Sequence, residues 1–138
     1  AKRYPKSTSI NLRFDDILAH KIYSGCDMFI MPSRYEPCGL GQIISLKYGT
    51  IPIVHKTGGL ADTVIEFDAN TGDGNGFAFS EYKTLALQGA IKRALDVYKF
   101  QKTWMGLVLK AMKYDFSWRE SAKRYIELYK KASSRRGF

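Results

Sequence analysis

The chain has 138 residues, 45% of them apolar and 25% charged, and carries a formal net charge of +9. That length fits one globular domain and leaves no room for a complete two-domain enzyme, while the composition excludes a disordered or fibrous chain. No run of about 18 apolar residues occurs, so no membrane-spanning helix is expected, and the start AKRYPKSTS lacks the apolar stretch of a secretory leader.

The charge is unevenly spread. Residues 1–13 hold four basic and no acidic side chains, residues 110–138 nine and three, and residues 14–109 nine against ten. The basic excess therefore sits at the two ends, where it reads as solvated tail and helix surface, and neither nucleic acid nor membrane is expected as a partner. Cys26 and Cys38 stand at no metal-ligand or redox spacing, which fits a reducing compartment; no metal and no cofactor is expected.

In chain order, SINL (9–12) has strand character. DDILAHKIYSGCD (15–27) reads as a helix capped by Asp15 or Asp16, with Ile17, Leu18, Ile22 and Tyr23 on one face and Gly25 closing it. MFIM (28–31) is a continuous apolar run, the pattern of a parallel strand buried on both faces. The segment 32–39, with two prolines and a glycine, is a loop, and LGQIISLKY (40–48) is a helix ended by Gly49 in a left-handed cap. IPIV (51–54) is the second buried strand, so strand, loop, helix and strand form a βαβ crossover.

Beyond it, Gly58 and Gly59 make a turn that opens another short helix, 65–67 is a short extended stretch, 69–76 is a loop and GFAF (76–79) a short strand. Leu85, Leu87, Ile91, Ala94, Leu95 and Tyr98 recur at helical spacing over 84–98. Two more helices follow, over 100–113 and 118–133, the last with Ser117 and Glu120 spaced for a capping box. Trp104 and Trp118 read as helix-packing anchors. The pattern predicts an α/β fold, a parallel-sheet Rossmann-like sandwich.

In an open α/β sheet the ligand lies beyond the carboxyl ends of the strands. Two glycine-marked loops have that placement here, 32–41 after MFIM and 55–60 after IPIV. Glycine lets backbone approach a ligand, and the free N–H groups of a helix's first turn favour an anion such as phosphate. Glu36 has the clearest functional pull, because a carboxylate in a tight loop at a sheet mouth is not needed for folding and its oxygens can accept from paired sugar hydroxyls. Its structural alternative is a surface pair with Arg34, two residues away.

These residues carry a resemblance. PSRYEPCGLGQ, KYGT and KTGGLADTV look like the donor-binding domain of bacterial glycogen synthases and plant starch synthases, retaining glucosyltransferases of the two-domain GT-B type, and DFSWRESAKRYIELYKKA (115–132) resembles that family's terminal helix. The resemblance implies that residues 1–138 are the later part of a C-terminal GT-B domain. It implies ADP-glucose or ADP as ligand and an α-glucan acceptor held by a missing N-terminal domain. It also implies a cytoplasmic location, or a plastid one in a plant. Glu36 matches the first Glu of the family's Glu, seven residues, Glu motif; the second is replaced by Ile44, a departure common in the glycogen and starch synthase branch. Cys38 and Gly39 match residues whose N–H groups contact the sugar. Leu40 and Gly41 match the helix start facing the diphosphate, with Gly41 where Thr is frequent. Phe14 matches an aromatic stacked on the base, and Thr57, Gly58 and Gly59 match a second turn near the phosphates.

His20 is expected to be a packed or capping imidazole, and His55 receives no role. Cys38 is read as a small loop residue acting through its backbone, since no His stands beside it in sequence. Two alternatives remain: a basic binding module, and another GT-B transferase using a UDP-sugar.

Overall fold

The computed structural model describes residues 3–135. Among them the elements run α1 (Asp16–Gly25), β1 (Met28–Met31), α2 (Gly41–Tyr48), β2 (Ile51–His55), α3 (Gly58–Thr63), β3 (Phe77–Phe79), α4 (Thr84–Tyr98), α5 (Gln101–Met112) and α6 (Trp118–Arg135). The strands make one parallel sheet in the order β1-β2-β3, with Met28 opposite Ile51 and Ile53 opposite Phe77.

Strand alternation divides the core between the two sheet faces. Ile51, Ile53, Phe77 and Phe79 point to one face, where Ala90 and Ala94 of α4 and Trp104, Leu107 and Ala111 of α5 cover them. The small residues of α4 let it lie close on the sheet, and the Trp104 ring packs edge-on against Tyr98 at 5.0 Å. Val54 and Ala78 point the other way, into a smaller cluster with Leu60 and Val64. All five residues of β2 are buried, as the apolar run predicts for a strand between two neighbours.

Short connections set where each helix begins. The Asp15 carboxylate caps α1, accepting from the Leu18 N–H at 2.9 Å, which settles the choice between the two aspartates. Gly49 ends α2 at φ 80°, its N–H donating to Leu46 O at 3.1 Å, so β2 can start two residues later. The Thr50 hydroxyl reaches the carbonyl oxygens of Tyr23 and Cys26, tying the end of α1 to the start of β2.

Several expectations fail for one shared reason. Residues 9–12 form no strand, pairing with no other segment among the described residues, and Leu12 is 95% exposed. The short extended stretch 65–67 does form, pairing through one isolated bridge, Glu66 with Gly76. MFIM is not buried on both faces: β1 is the sheet edge, and Ile30 is 44% exposed. On α1 the inward residues are Leu18 and Tyr23, whereas Ile17 and Ile22 face out, and Trp118 is 85% exposed and anchors nothing. An apolar side chain shows that a face can be covered; the cover must come from another element.

The capping box at α6 is replaced by a different turn. The Ser117 N–H donates to the Asp115 carboxylate at 2.8 Å, while Glu120 pairs with Lys123. That N–H, with the Ser117 hydroxyl, holds the Asp115 carboxyl below its ordinary range. A carboxyl lowered by folding contributes stability above its unfolded value of about 4, and the contribution is lost as pH falls through the folded value. We expect the NMR titration of Asp115 to have a midpoint below that of a free aspartate. Ser117→Ala should move the midpoint only part of the way back, because the backbone bond remains.

Candidate functional site

Loop 32–40 after β1 and the start of α3 after β2 lie side by side at the carboxyl edge of the sheet, backbone against backbone. The Gly59 N–H donates to the Glu36 carbonyl oxygen at 3.0 Å. A Cβ on Gly58 would collide with that same oxygen, and one on Gly59 would collide with Cys38 O. Gly58 also has φ +44°, open to glycine and costly for most other residues. The second glycine motif therefore has a role that sequence reading did not see: it is the surface on which the first motif's loop rests.

That loop presents a carboxylate and a row of donors. Glu36 is half-buried, and among the described residues its side chain makes no hydrogen bond or ion pair, so the surface pair with Arg34 does not form. The N–H groups of Gly39, Leu40 and Gly41, and of Gln42 and Ile43 in the first turn of α2, find no acceptor among the described residues. Leu40 stands at the N-cap position, and a leucine has no side-chain atom to satisfy them. Gly39 is buried with φ +72°, Cys38 is an exposed free thiol, and Leu40 is exposed. At Gly41 a Cβ would stand 3.2 Å from both the Phe29 ring and the Tyr23 hydroxyl, so glycine suits this helix start.

The remaining predicted residues are placed as follows. Thr57 is the N-cap of α3 and makes no side-chain cap bond. Phe14 immediately precedes the Asp15 cap and is 99% exposed, so nothing among the described residues covers its ring. The structure does not bring Phe14 into packing with the two turns.

Three residues outside the predicted set hold the loop. His55, the last residue of β2, is buried on the α4 side of the sheet against Phe79 and Tyr82, and its Nδ1 bonds Ser33 O at 2.8 Å. Because that partner is a carbonyl, Nδ1 carries the proton. Gln42 grips the loop's other end, its Nε2 donating to Gly39 O, and Thr63 backs Gln42 from α3. Strand parity could have found His55, since it follows Ile53 on the same face; nothing local in the sequence marks Gln42 or Thr63. His20 meets its expectation as a packed imidazole, bonded to the Tyr48 hydroxyl at 2.9 Å and edge-on to Tyr23.

A cleft of about 250 Å³ lies beside the loop, lined by Pro32, Phe79, Tyr82, Lys83, Thr84 and Leu87. Glu36, Cys38 and Gly41 do not line it. Among the described residues no set of three or more His, Cys, Asp or Glu gathers as a metal site, and no helix is long and apolar enough to cross a membrane.

A parallel α/β sheet with two interlocked glycine turns at its carboxyl edge, one carrying an unpaired carboxylate, defines a Rossmann-like ligand-binding unit. Residues 14–105, more than half of the chain, match the family model for glycosyl transferases group 1, and the chain belongs to that family. It is 59% identical over 136 residues to a glycogen synthase of Thermosipho melanesiensis, covering 98% of this chain and 28% of that protein. Glycogen synthase 2 of Geobacter metallireducens is 54% identical over 133 residues, covering 96% and 28%. Among solved structures, the catalytic domain of starch synthase IV from Arabidopsis thaliana, bound to ADP and acarbose, superposes with a TM-score of 0.81 at 42% identity, over 96% of this chain and 28% of that one. Sucrose-phosphate synthase from Thermosynechococcus elongatus follows at 0.64 and 25%, over 96% and 32%. The chain thus spans about 28% of the length of the curated relatives it matches, and its fold is the expected part of a GT-B enzyme.

Proposed function

We propose that this chain is the donor-binding part of a glycogen or starch synthase that moves glucose from ADP-glucose to the non-reducing end of an α-1,4-glucan with retention of configuration. The observation that carries the reading is loop 32–41: an unpaired Glu36 carboxylate beside a run of uncommitted N–H groups on one turn. A hexose diphosphate needs both, acceptors for the sugar hydroxyls and donors for the phosphate oxygens.

In this mechanism Glu36 accepts from two hydroxyls of the donor glucose and fixes the ring. The N–H groups of Cys38 and Gly39 face the sugar, and those of Leu40 and Gly41 face the diphosphate. As the bond from the anomeric carbon to the phosphate oxygen breaks, negative charge grows on that oxygen, and fixed donors stabilise it most at that moment. The acceptor hydroxyl enters on the face the diphosphate leaves, giving up its proton to the departing phosphate. No protein nucleophile takes part, so the Cys38 thiol is not consumed. Thr57, Gly58 and Gly59 complete the phosphate side, and the exposed Phe14 ring supplies a stacking face for the base. The glucan acceptor is held by parts of the enzyme outside this chain, so the chain alone binds nucleotide weakly and turns nothing over. A cytoplasmic location belongs to the same proposal.

An aromatic ring stacks on adenine and uracil alike, so the base is decided by experiment. The support for adenine is the likeness to a starch synthase solved with ADP. Calorimetric titration of the full-length protein should show ADP binding at least about tenfold more tightly than UDP, or about 1.4 kcal/mol. Equal affinity, or a preference for UDP, would refute the ADP-glucose assignment.

A further inference from the structure

A short chain of side-chain hydrogen bonds connects the two glycine turns. Gln42, fully buried in the first turn of α2, donates through Nε2 to Gly39 O at 2.8 Å and to Thr63 Oγ1 at 3.0 Å. Thr63 is the last residue of α3, and its hydroxyl donates onward to Gly59 O at 2.6 Å. The order runs one way only. The amide N–H enters the hydroxyl oxygen, leaving the hydroxyl proton for the carbonyl. Turning the Gln42 amide over would set Oε1 against Gly39 O, two acceptors face to face, so the observed orientation is fixed.

The relay bears on chemistry through the planarity of the peptide bond. In a trans peptide the C=O of one residue and the N–H of the next point in opposite directions. Gln42 draws Gly39 O inward, so the Leu40 N–H of the same plane is aimed outward, and it has no acceptor among the described residues. At the other end, Thr63 holds the carbonyl of Gly59, whose own N–H grips Glu36 O. One relay thereby fixes the direction of a donor in the first turn and the seat of that turn on the second.

A second observation separates this role from simple core filling. Gln42 Oε1 is buried and has no partner among the described residues. Burying an unpaired acceptor is unfavourable, so a site that needed only volume would be served as well by methionine. We propose that Gln42 and Thr63 are positioning residues for glycosyl transfer, holding the peptide plane of Gly39 and Leu40 so that the Leu40 N–H meets the charge that develops on the leaving diphosphate. The proposal rests on the donor-site reading above.

The test uses the full-length enzyme with ADP-glucose and glycogen, and five variants beside wild type: Glu36→Ala, Gln42→Met, Thr63→Val, Thr63→Ser and the Gln42→Met, Thr63→Val double. A donor that acts on developing charge affects the transition state more than the ground state, so Gln42→Met and Thr63→Val should each lower kcat by about tenfold or more, with KM for ADP-glucose changed far less. Thr63→Ser, which keeps the hydroxyl, should restore kcat. Because both residues serve one relay, the Gln42→Met, Thr63→Val double variant should be no worse than the poorer single by more than about threefold. Unaltered kcat in the two relay variants, with Glu36→Ala strongly impaired, overturns the relay and leaves the donor site standing. Unaltered kcat in Glu36→Ala overturns the donor-site reading itself. Losses that multiply in the double variant also overturn the relay. If Gln42→Met fails to fold, the contrast between Thr63→Val and Thr63→Ser decides, since the half-buried hydroxyl is the middle link.

Discussion

Glu36→Ala in the full-length enzyme is expected to lower kcat by about 10²–10³-fold, the scale for removing one preorganised polar contact to a reacting group. The fold should not notice. The Glu36 side chain makes no bond among the described residues, and the atom that seats the loop is its backbone oxygen, which alanine keeps. Thermal unfolding of the variant should therefore match wild type, which separates a lost contact from a lost structure. Glu36→Gln should recover part of the rate, because an amide can still accept from one hydroxyl. Wild-type turnover in Glu36→Ala would overturn the donor-site reading.

Gly59→Ala is the second large effect, and its cause is different. Gly59 does not have a positive φ, so backbone strain is not at issue; the added Cβ would run into Cys38 O. The Cβ is fixed rigidly to the Cα and the carbonyl oxygen belongs to backbone, so neither can swing aside as a flexible side chain would. The loop must lift from α3, breaking the bond from Gly59 N–H to Glu36 O, at a cost of about 1–3 kcal/mol or more. Urea unfolding should show that loss, and turnover should fall with it, because the lifted loop carries Glu36. Gly106→Ala is the matching control. It lies inside α5 with open space around it, and should gain about 0.5–1 kcal/mol from helix propensity alone. Equal stabilities for the two variants would mean that the close approach at Gly59 is not as described.

The contrast between these glycines shows what a motif conveys. The sequence pattern found both turns, placed both at the carboxyl edge of the sheet and singled out Glu36, because strand runs, turn residues and helix starts are local signals. It read Gly58 and Gly59 as ligand-facing backbone. Their contact with Glu36 and Cys38 joins residues some twenty positions apart, and no local pattern encodes it. His55 is a similar case. Its neighbours come from two separate segments, Ser33 after β1 and Phe79 with Tyr82 at the end of β3, brought together only when β1, β2 and β3 pair.

Burial divides along the same line. The central strand IPIV was legible because both its neighbours belong to this chain, while MFIM, equally apolar, lies at the edge with Ile30 open. Trp104 and Trp118 look alike as helix anchors, yet one is packed under α4 and the other stands in solvent.

By itself, the sequence determined the α/β class, the order of the strands and helices from β1 onward, the two turns and the carboxylate between them, since each follows from the local spacing of apolar, turn and capping residues. The tertiary structure decided which apolar faces are covered, that the second turn is the seat of the first, and that Gln42, Thr63 and His55 hold the loop. Those outcomes depend on close approach between segments distant in the chain, and distance in space is what spacing in sequence does not carry.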